Sequence, residues 1–261
     1  MTETIAIANQ KGGVGKTTTA INLAAALATL GQATLIIDLD PQGNTTSGLG
    51  HGKSTETPGI YHNLIEQLPL EKTIKPTSVE LLDIVGSNPN MIGAELELAD
   101  MVSRENRLKD ALLPLRPAYD FIIIDCPPSL GLVTINAMAA ADRVLIPIQG
   151  EYYALEGLAQ FLNAVKRLQQ GLNPQLGIEG GLLTMFDPRY SLSRQVQQEL
   201  GTFFGKSLYK TTIPRSVRLA EAPGFGKTIF QYEPRSRGSE RYLALGGEFL
   251  GRRGWRGMKL N

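Results

Sequence analysis

The sequence predicts a three-layer α/β/α fold, a mostly parallel twisted sheet flanked by helices. Three observations carry that prediction. Short apolar runs alternate with helical patterns along the whole chain. The runs are apolar at nearly every position, as strands buried on both faces are, and such strands form parallel sheets between helix layers. The first run passes through a glycine-rich loop directly into a helix, the strand–loop–helix unit from which such sheets are built.

Taken in order, strands are expected at 4–8, 33–37, 81–85, 121–124, 144–148, 180–185 and 210–213. Helices are expected at 17–30, 104–113, 132–141, 154–170, 191–204 and 237–250. With 261 residues, 42% hydrophobic and 20% charged, the chain fits one large α/β domain over 1–261, with 251–261 as a basic, flexible tail. No repeat, low-complexity segment or Pro/Gly/Ser-rich linker divides it. Cys126 is the only cysteine, so there is no disulfide framework and a reducing cytoplasm fits. The chain opens on a strand rather than a signal peptide, and no apolar run approaches the ~20 residues of a membrane span. The formal net charge of +1 hides an asymmetry. Residues 185–261 carry 14 Lys and Arg against 6 Asp and Glu, whereas residues 1–184 carry 12 against 19. On charge alone, the basic third is either a polyanion-binding face or a solvated one.

The glycine loop is Asn9-Gln10-Lys11-Gly12-Gly13-Val14-Gly15-Lys16-Thr17-Thr18. Gly12, Gly13 and Gly15 let backbone N–H groups approach a polyphosphate, and the helix N-terminus adds a favourable dipole. In this P-loop reading Lys16 neutralises the β/γ-phosphates and the Thr17 hydroxyl ligates Mg²⁺. The common pattern has glycine where Gln10 stands and asks for no lysine at 11, so this is the two-lysine, deviant Walker A form. A dinucleotide loop is the weaker reading, because Gly13-Val-Gly15-Lys-Thr-Thr18 lacks the third glycine that close helix–sheet packing needs.

Ligands of such sheets sit at the carboxyl ends of the strands. There, Asp38-Leu-Asp40-Pro-Gln-Gly-Asn44 puts two carboxylates beside the loop. Asp40 is placed to orient an attacking water, or else it only begins a turn, as Asp-Pro often does. The run Phe121-Ile-Ile-Ile-Asp125 is a buried strand ending in a carboxylate, the Walker B arrangement, with Asp125 serving Mg²⁺. Cys126 reads as a small buried residue. His51 and His62 lack partners at metal-ligand spacing. Tyr152, Tyr153 and the Leu155/Leu158/Phe161/Leu162 stripe read as packing. Arginines in the basic third could meet a phosphate backbone through counterion release. The glycine-broken tail, with Trp255 among basic residues, reads as a frayed terminus rather than an amphipathic helix.

Together these residues resemble the ParA/Soj family of chromosome- and plasmid-partition ATPases. The motifs that carry the resemblance are Lys11-Gly-Gly-Val-Gly-Lys-Thr-Thr18, Asp38-Leu-Asp-Pro-Gln-Gly-Asn44, Asp125-Cys-Pro-Pro-Ser-Leu-Gly131, Glu151-Tyr-Tyr-Ala-Leu-Glu-Gly157 and Ile213-Pro-Arg-Ser-Val-Arg-Leu-Ala-Glu-Ala-Pro223. They cover roughly residues 3–250, and the chain looks most like the short Soj type without an N-terminal helix-turn-helix extension. The resemblance implies a P-loop ATPase with ATP and Mg²⁺ as cofactors, weakly active without a partner. It implies an ATP-sandwich homodimer in which Lys11 reaches the partner's phosphates, as an arginine finger does. It further implies that Lys11, Gly12, Gly13, Val14, Gly15, Lys16, Thr17 and Thr18 contact ATP, with Met185, Pro214 and Arg215 at the adenine. Catalysis falls to Lys11, Lys16 and Asp40, and Mg²⁺ binding to Thr17 and Asp125. Arg189 and Arg218 match positions that bind DNA non-specifically. The implied partner is a ParB-type centromere-binding protein, and the implied location is the bacterial cytoplasm, on the nucleoid.

The chain departs from the family at Gly224-Phe225, at Gly226-Lys227-Thr228 and in its longer basic tail. None of these touches the ATP chemistry. The same fold also serves MinD-like membrane-cycling ATPases, but these lack the Asp40–Asn44 stretch and end in an apolar amphipathic helix, so no stable membrane association is expected. Orphan relatives that position other cargo remain an alternative. A redox protein like the nitrogenase iron protein needs two cluster-ligating cysteines per subunit, and this chain has one.

Overall fold

The computed structural model describes residues 2–151 and 154–255, the side chains of 154–156 excepted. Its strands are β1 (Glu3–Ile7), β2 (Thr34–Asp38), β3 (Ile74–Pro76), β4 (Leu82–Val85), β5 (Phe121–Asp125), β6 (Arg143–Gln149) and β7 (Gly177–Thr184). They form one sheet in the order β3-β4-β2-β5-β1-β6-β7. All neighbours are parallel except the edge pair β3–β4. The helices are α1 (Lys16–Thr29), α2 (Asn44–Gly48), α3 (Ile60–Leu64), α4 (Ala94–Ala99), α5 (Arg107–Leu112), α6 (Leu132–Ala140), α7 (Ala154–Gln170), α8 (Ser191–Phe204), α9 (Val217–Glu221), α10 (Ile229–Tyr232) and α11 (Arg237–Gly251).

The period-2 geometry of each strand divides its side chains between two cores. Ile5, Ile7, Ile36, Ile84, Ile123 and Leu145 face one layer, which includes α1 and α11. Ala6, Leu35, Ile37, Ile122, Ile124 and Val144 face the other, which includes α5 to α8. Helices α1 and α11 approach closely because a Cβ on Gly246 would already lie 3.0 Å from Ala26 Cβ. Leu158 and Phe161 are buried on α7, as the stripe predicts. Tyr152 and Tyr153, the Leu155 side chain and tail residues 256–261 lie outside the described residues.

Three expectations are corrected. Residues 210–213 are not a strand. The segment runs beside β7, with Tyr209 N–H donating to Gly181 O and Ile213 N–H to Leu183 O. Between these points the amides of Lys210 and Thr211 turn away to the Glu248 carboxylate on α11, and Pro214 has no N–H to continue a ladder. The helix expected at 104–113 is Arg107–Leu112, continued by a 3₁₀ turn over Leu113–Ala118 that holds Pro114 and Pro117. The tail is not loose from residue 251. Arg252 stacks on the Tyr209 ring and pairs with Glu248, and Arg253 stacks on Phe249 between Glu3 and the buried Glu179.

Candidate active site

The loop that leaves β1 is pinned on both sides. Asn9 donates to Pro147 O at 2.8 Å and accepts from Lys11 N–H at 3.1 Å, and Thr184 at the end of β7 donates to Val14 O at 2.8 Å. Gly13 and Gly15 sit at φ 74° and 86°, where only glycine is unstrained. Space is open above Gly12 and Gly13, because nothing lies within 4 Å of a Cβ built on either. The Lys16 ammonium folds back to Lys11 O at 3.0 Å. Burial lowers its pKa, while the negative charges of Asp125 and Asp40 work against that shift. The result is a glycine loop with open space beside it and a cation folded against it, at the N-terminus of α1 where the helix dipole favours an anion.

Beside it, β2 and β5 run in register with Asp38 opposite Asp125, and both carboxylates are fully buried. Asp38 Oδ2 accepts from Thr46 N–H at 2.8 Å and Thr46 Oγ1 at 2.6 Å, and Oδ1 accepts from Asp40 N–H at 3.1 Å. Asp125 Oδ2 accepts from Thr45 Oγ1 at 2.7 Å, but Oδ1 is buried with no partner. Burial raises the pKa of each. For Asp125 the neighbouring Asp38 adds to the rise, and the hydroxyls of Thr45 and Thr17 oppose it. A buried, unpartnered carboxylate oxygen beside a threonine hydroxyl is a hard oxygen donor set of the kind Mg²⁺ takes. The residues present therefore fit the ion and, through the open glycine loop, a polyphosphate.

Asp40 caps its own turn through Oδ1, which accepts from Gln42 N–H at 2.9 Å, so the turn reading and the proximity to the site hold together. Cys126 is buried and its thiol is pushed up by burial. Lys11 pairs with Glu151 at 2.8 Å, both half-exposed. Met185, just after β7, is left-handed at φ 50°, and the following Phe186 N–H donates to Ile213 O, so the Met185 and Pro214 segments lie side by side. Met185 and Arg215 line a cavity of ≈ 390 Å³ together with Glu151, Asp187, Arg189 and Tyr190. Arg189 therefore opens onto the same cavity as two of the residues expected at the adenine. It is bidentate to Asp187, with Nη2–Oδ2 at 2.6 Å and Nε–Oδ1 at 3.0 Å. Arg218 on α9 pairs with Glu221 at 2.9 Å.

Sequence reasoning gave no role to Asp38, Thr45, Thr46 or Glu151. Only Asp38 carried a signal, a carboxylate closing an apolar strand, as Asp125 does.

A family model described as an AAA domain matches residues 2–178. The chain is 54% identical over 248 residues to the chromosome partitioning protein ParA of Myxococcus xanthus, covering 95% of this chain and 88% of that protein. It is 54% identical over 248 residues to the sporulation initiation inhibitor protein Soj of Bacillus subtilis, covering 95% and 98%. The chain belongs to the ParA/Soj family. A solved structure described as cobyrinic acid a,c-diamide synthase from Mycobacterium smegmatis, with bound ADP and magnesium, superposes with a TM-score of 0.85 at 33% identity, covering 100% of both chains. The ParA/Soj relatives are much the more alike in sequence, and the shared architecture is that of P-loop nucleotide hydrolases. Among the described residues no helix is long and apolar enough to cross a membrane.

Proposed function

We propose that this ParA/Soj chain is a partitioning ATPase that acts, as one ATPase domain, as a nucleotide-timed DNA clamp in the bacterial cytoplasm, on the nucleoid. One observation carries the reading. An open glycine loop, the Lys16 ammonium and the one unpartnered oxygen of Asp125 converge at the carboxyl ends of β1 and β5.

ATP and Mg²⁺ are its cofactors. Loop N–H groups from Gly12 to Thr18 cradle the phosphates, and Lys16 leaves Lys11 O to neutralise them. Thr17 and Asp125 would hold Mg²⁺, which when bound draws charge from the β- and γ-phosphates. Asp40, fixed by its turn, orients the attacking water. Lys11 exchanges Glu151 for the partner subunit's phosphates, a cation aimed where charge develops in the transition state. The Met185, Pro214 and Arg215 segments receive the adenine. The ATP-bound homodimer presents Arg189 and Arg218 to DNA backbone without reading sequence. A ParB-type centromere-bound protein stimulates hydrolysis and so releases the dimer.

The test is binding to a random-sequence duplex in Mg-ATP and in Mg-ADP. Binding in ATP alone, persisting in Asp40→Ala, is the expected result. DNA binding that ignores the nucleotide, or that Asp40→Ala abolishes, would overturn the clamp.

A further inference from the structure

The two buried carboxylates are not equivalent, and their hydrogen bonds say which is free. Thr46 Oγ1 accepts from Ser87 N–H at 2.8 Å, so its own proton has one destination, Asp38 Oδ2 at 2.6 Å. With Thr46 N–H on the same oxygen and Asp40 N–H on Oδ1, both oxygens of Asp38 are engaged. Asp38 is thereby committed to building the turn. Asp125 receives the Thr45 hydroxyl at Oδ2 at 2.7 Å, with the Thr17 hydroxyl near the carboxylate, and its Oδ1 makes no hydrogen bond.

We propose that Thr45 is a positioning residue for Asp125, fixing its carboxylate so that Oδ1 alone is presented to Mg²⁺. This rests on the ATPase reading above. The geometry that allows it is a match between a helix and a sheet. Gly43, left-handed at φ 60°, starts α2 so that Thr45 and Thr46 are consecutive in its first turn. Beneath them Asp38 and Asp125 are neighbours across one strand spacing, about 4.8 Å. Two consecutive helix residues thus serve two adjacent strands, one hydroxyl for each carboxylate. Both threonines are buried, so no water competes for either bond. A carboxylate held at one oxygen is restrained from rotating its free oxygen away from the ion. Partners of this kind around a metal ligand are typically worth 10- to 100-fold in metal affinity.

The test is the Mg²⁺ dependence of binding a non-hydrolysable ATP analogue, measured by calorimetry on the full chain, with thermal stability recorded in parallel. Thr45→Val is expected to move the Mg²⁺ midpoint up at least tenfold while affinity for the metal-free analogue is kept, and Thr45→Ser to restore it. Thr45→Ala, which leaves room for a water, replaces the valine variant if that does not fold and should shift the midpoint the same way. Thr46→Val should lower stability yet leave the Mg²⁺ midpoint in place, because Asp38 offers no free oxygen. An unshifted midpoint in the Thr45 variants, or an equal shift in Thr46→Val, would overturn the assignment. A wild-type chain whose nucleotide binding ignored Mg²⁺ altogether would overturn the ATPase reading itself, and the assignment with it.

Discussion

Replacing Asp187 with Asn should make the chain bind DNA more tightly and with a steeper dependence on salt. As built, Arg189 is 83% exposed but carries no net charge to a phosphate, because Asp187 grips its guanidinium through both oxygens. The same contact holds the Asp187 carboxyl down to about 2, so the pair stays ionised at any working pH. Asn removes one negative charge per subunit, two per dimer. Each phosphate contact contributes a slope of about 0.9 in log K against log salt on duplex DNA, so the dimer's slope should steepen by about 1.8. Between 50 and 200 mM salt that amounts to roughly tenfold, which means the variant's advantage at low salt should shrink about tenfold at high salt. Fluorescence anisotropy of a labelled random duplex, with a non-hydrolysable ATP analogue and a salt series, reads both quantities. Arg189→Ala should fall below wild type, since it leaves Asp187 bare beside the DNA. Coincident salt lines for Asp187→Asn and wild type would refute the placement of Arg189 at the backbone.

Glu151→Gln releases Lys11 from a half-exposed ion pair worth at most about 1 kcal/mol, so steady-state ATPase activity should rise no more than about fivefold. A loss of activity would mean that Glu151 itself meets the nucleotide. Arg253→Ala leaves the buried Glu179, its side chain 3% exposed, with only the longer Arg143 contact at 3.8 Å and the Tyr209 hydroxyl, and should cost about 1–3 kcal/mol in urea unfolding. A midpoint equal to wild type would show the clamp to be dispensable. Gly226→Ala forces a side chain at φ 63° to within 2.7 Å of Gly50 Cα, against the segment that follows α2. About 1–3 kcal/mol of destabilisation is expected in the same assay, and none would mean that the seam relaxes freely.

What could be read in advance was what depends on neighbours in the chain. Apolar runs, a glycine loop and carboxylates that close strands are local patterns, and they place β1, β2, β5 and the P-loop with little ambiguity. The readings that failed depend on distant partners. Arg252 and Arg253 look like a solvated basic tail because nothing within ten residues other than Glu248 announces a carboxylate, yet Arg253 reaches Glu3, 250 positions away, and Glu179, 74 away. The strand at 210–213 fails for the same reason, since its amides are claimed by Glu248 on another helix. Arg189 is the instructive exception, as its partner Asp187 stands two residues away and counting charge by segment averages over the pair. The consequence bears on function. Among the described basic residues of the C-terminal third, Arg189, Arg218, Arg252 and Arg253 are spent on carboxylates. Two of those pairs are partly buried supports at the end of α11 and two are exposed grips on the residues expected to meet DNA. A polyanion competes poorly for the first kind and better for the second, because exposed pairs cost little to break and the arginine that meets a phosphate releases counterions from the DNA. The field that DNA meets is therefore set by how readily Asp187 and Glu221 let go, and less by the summed charge of the segment.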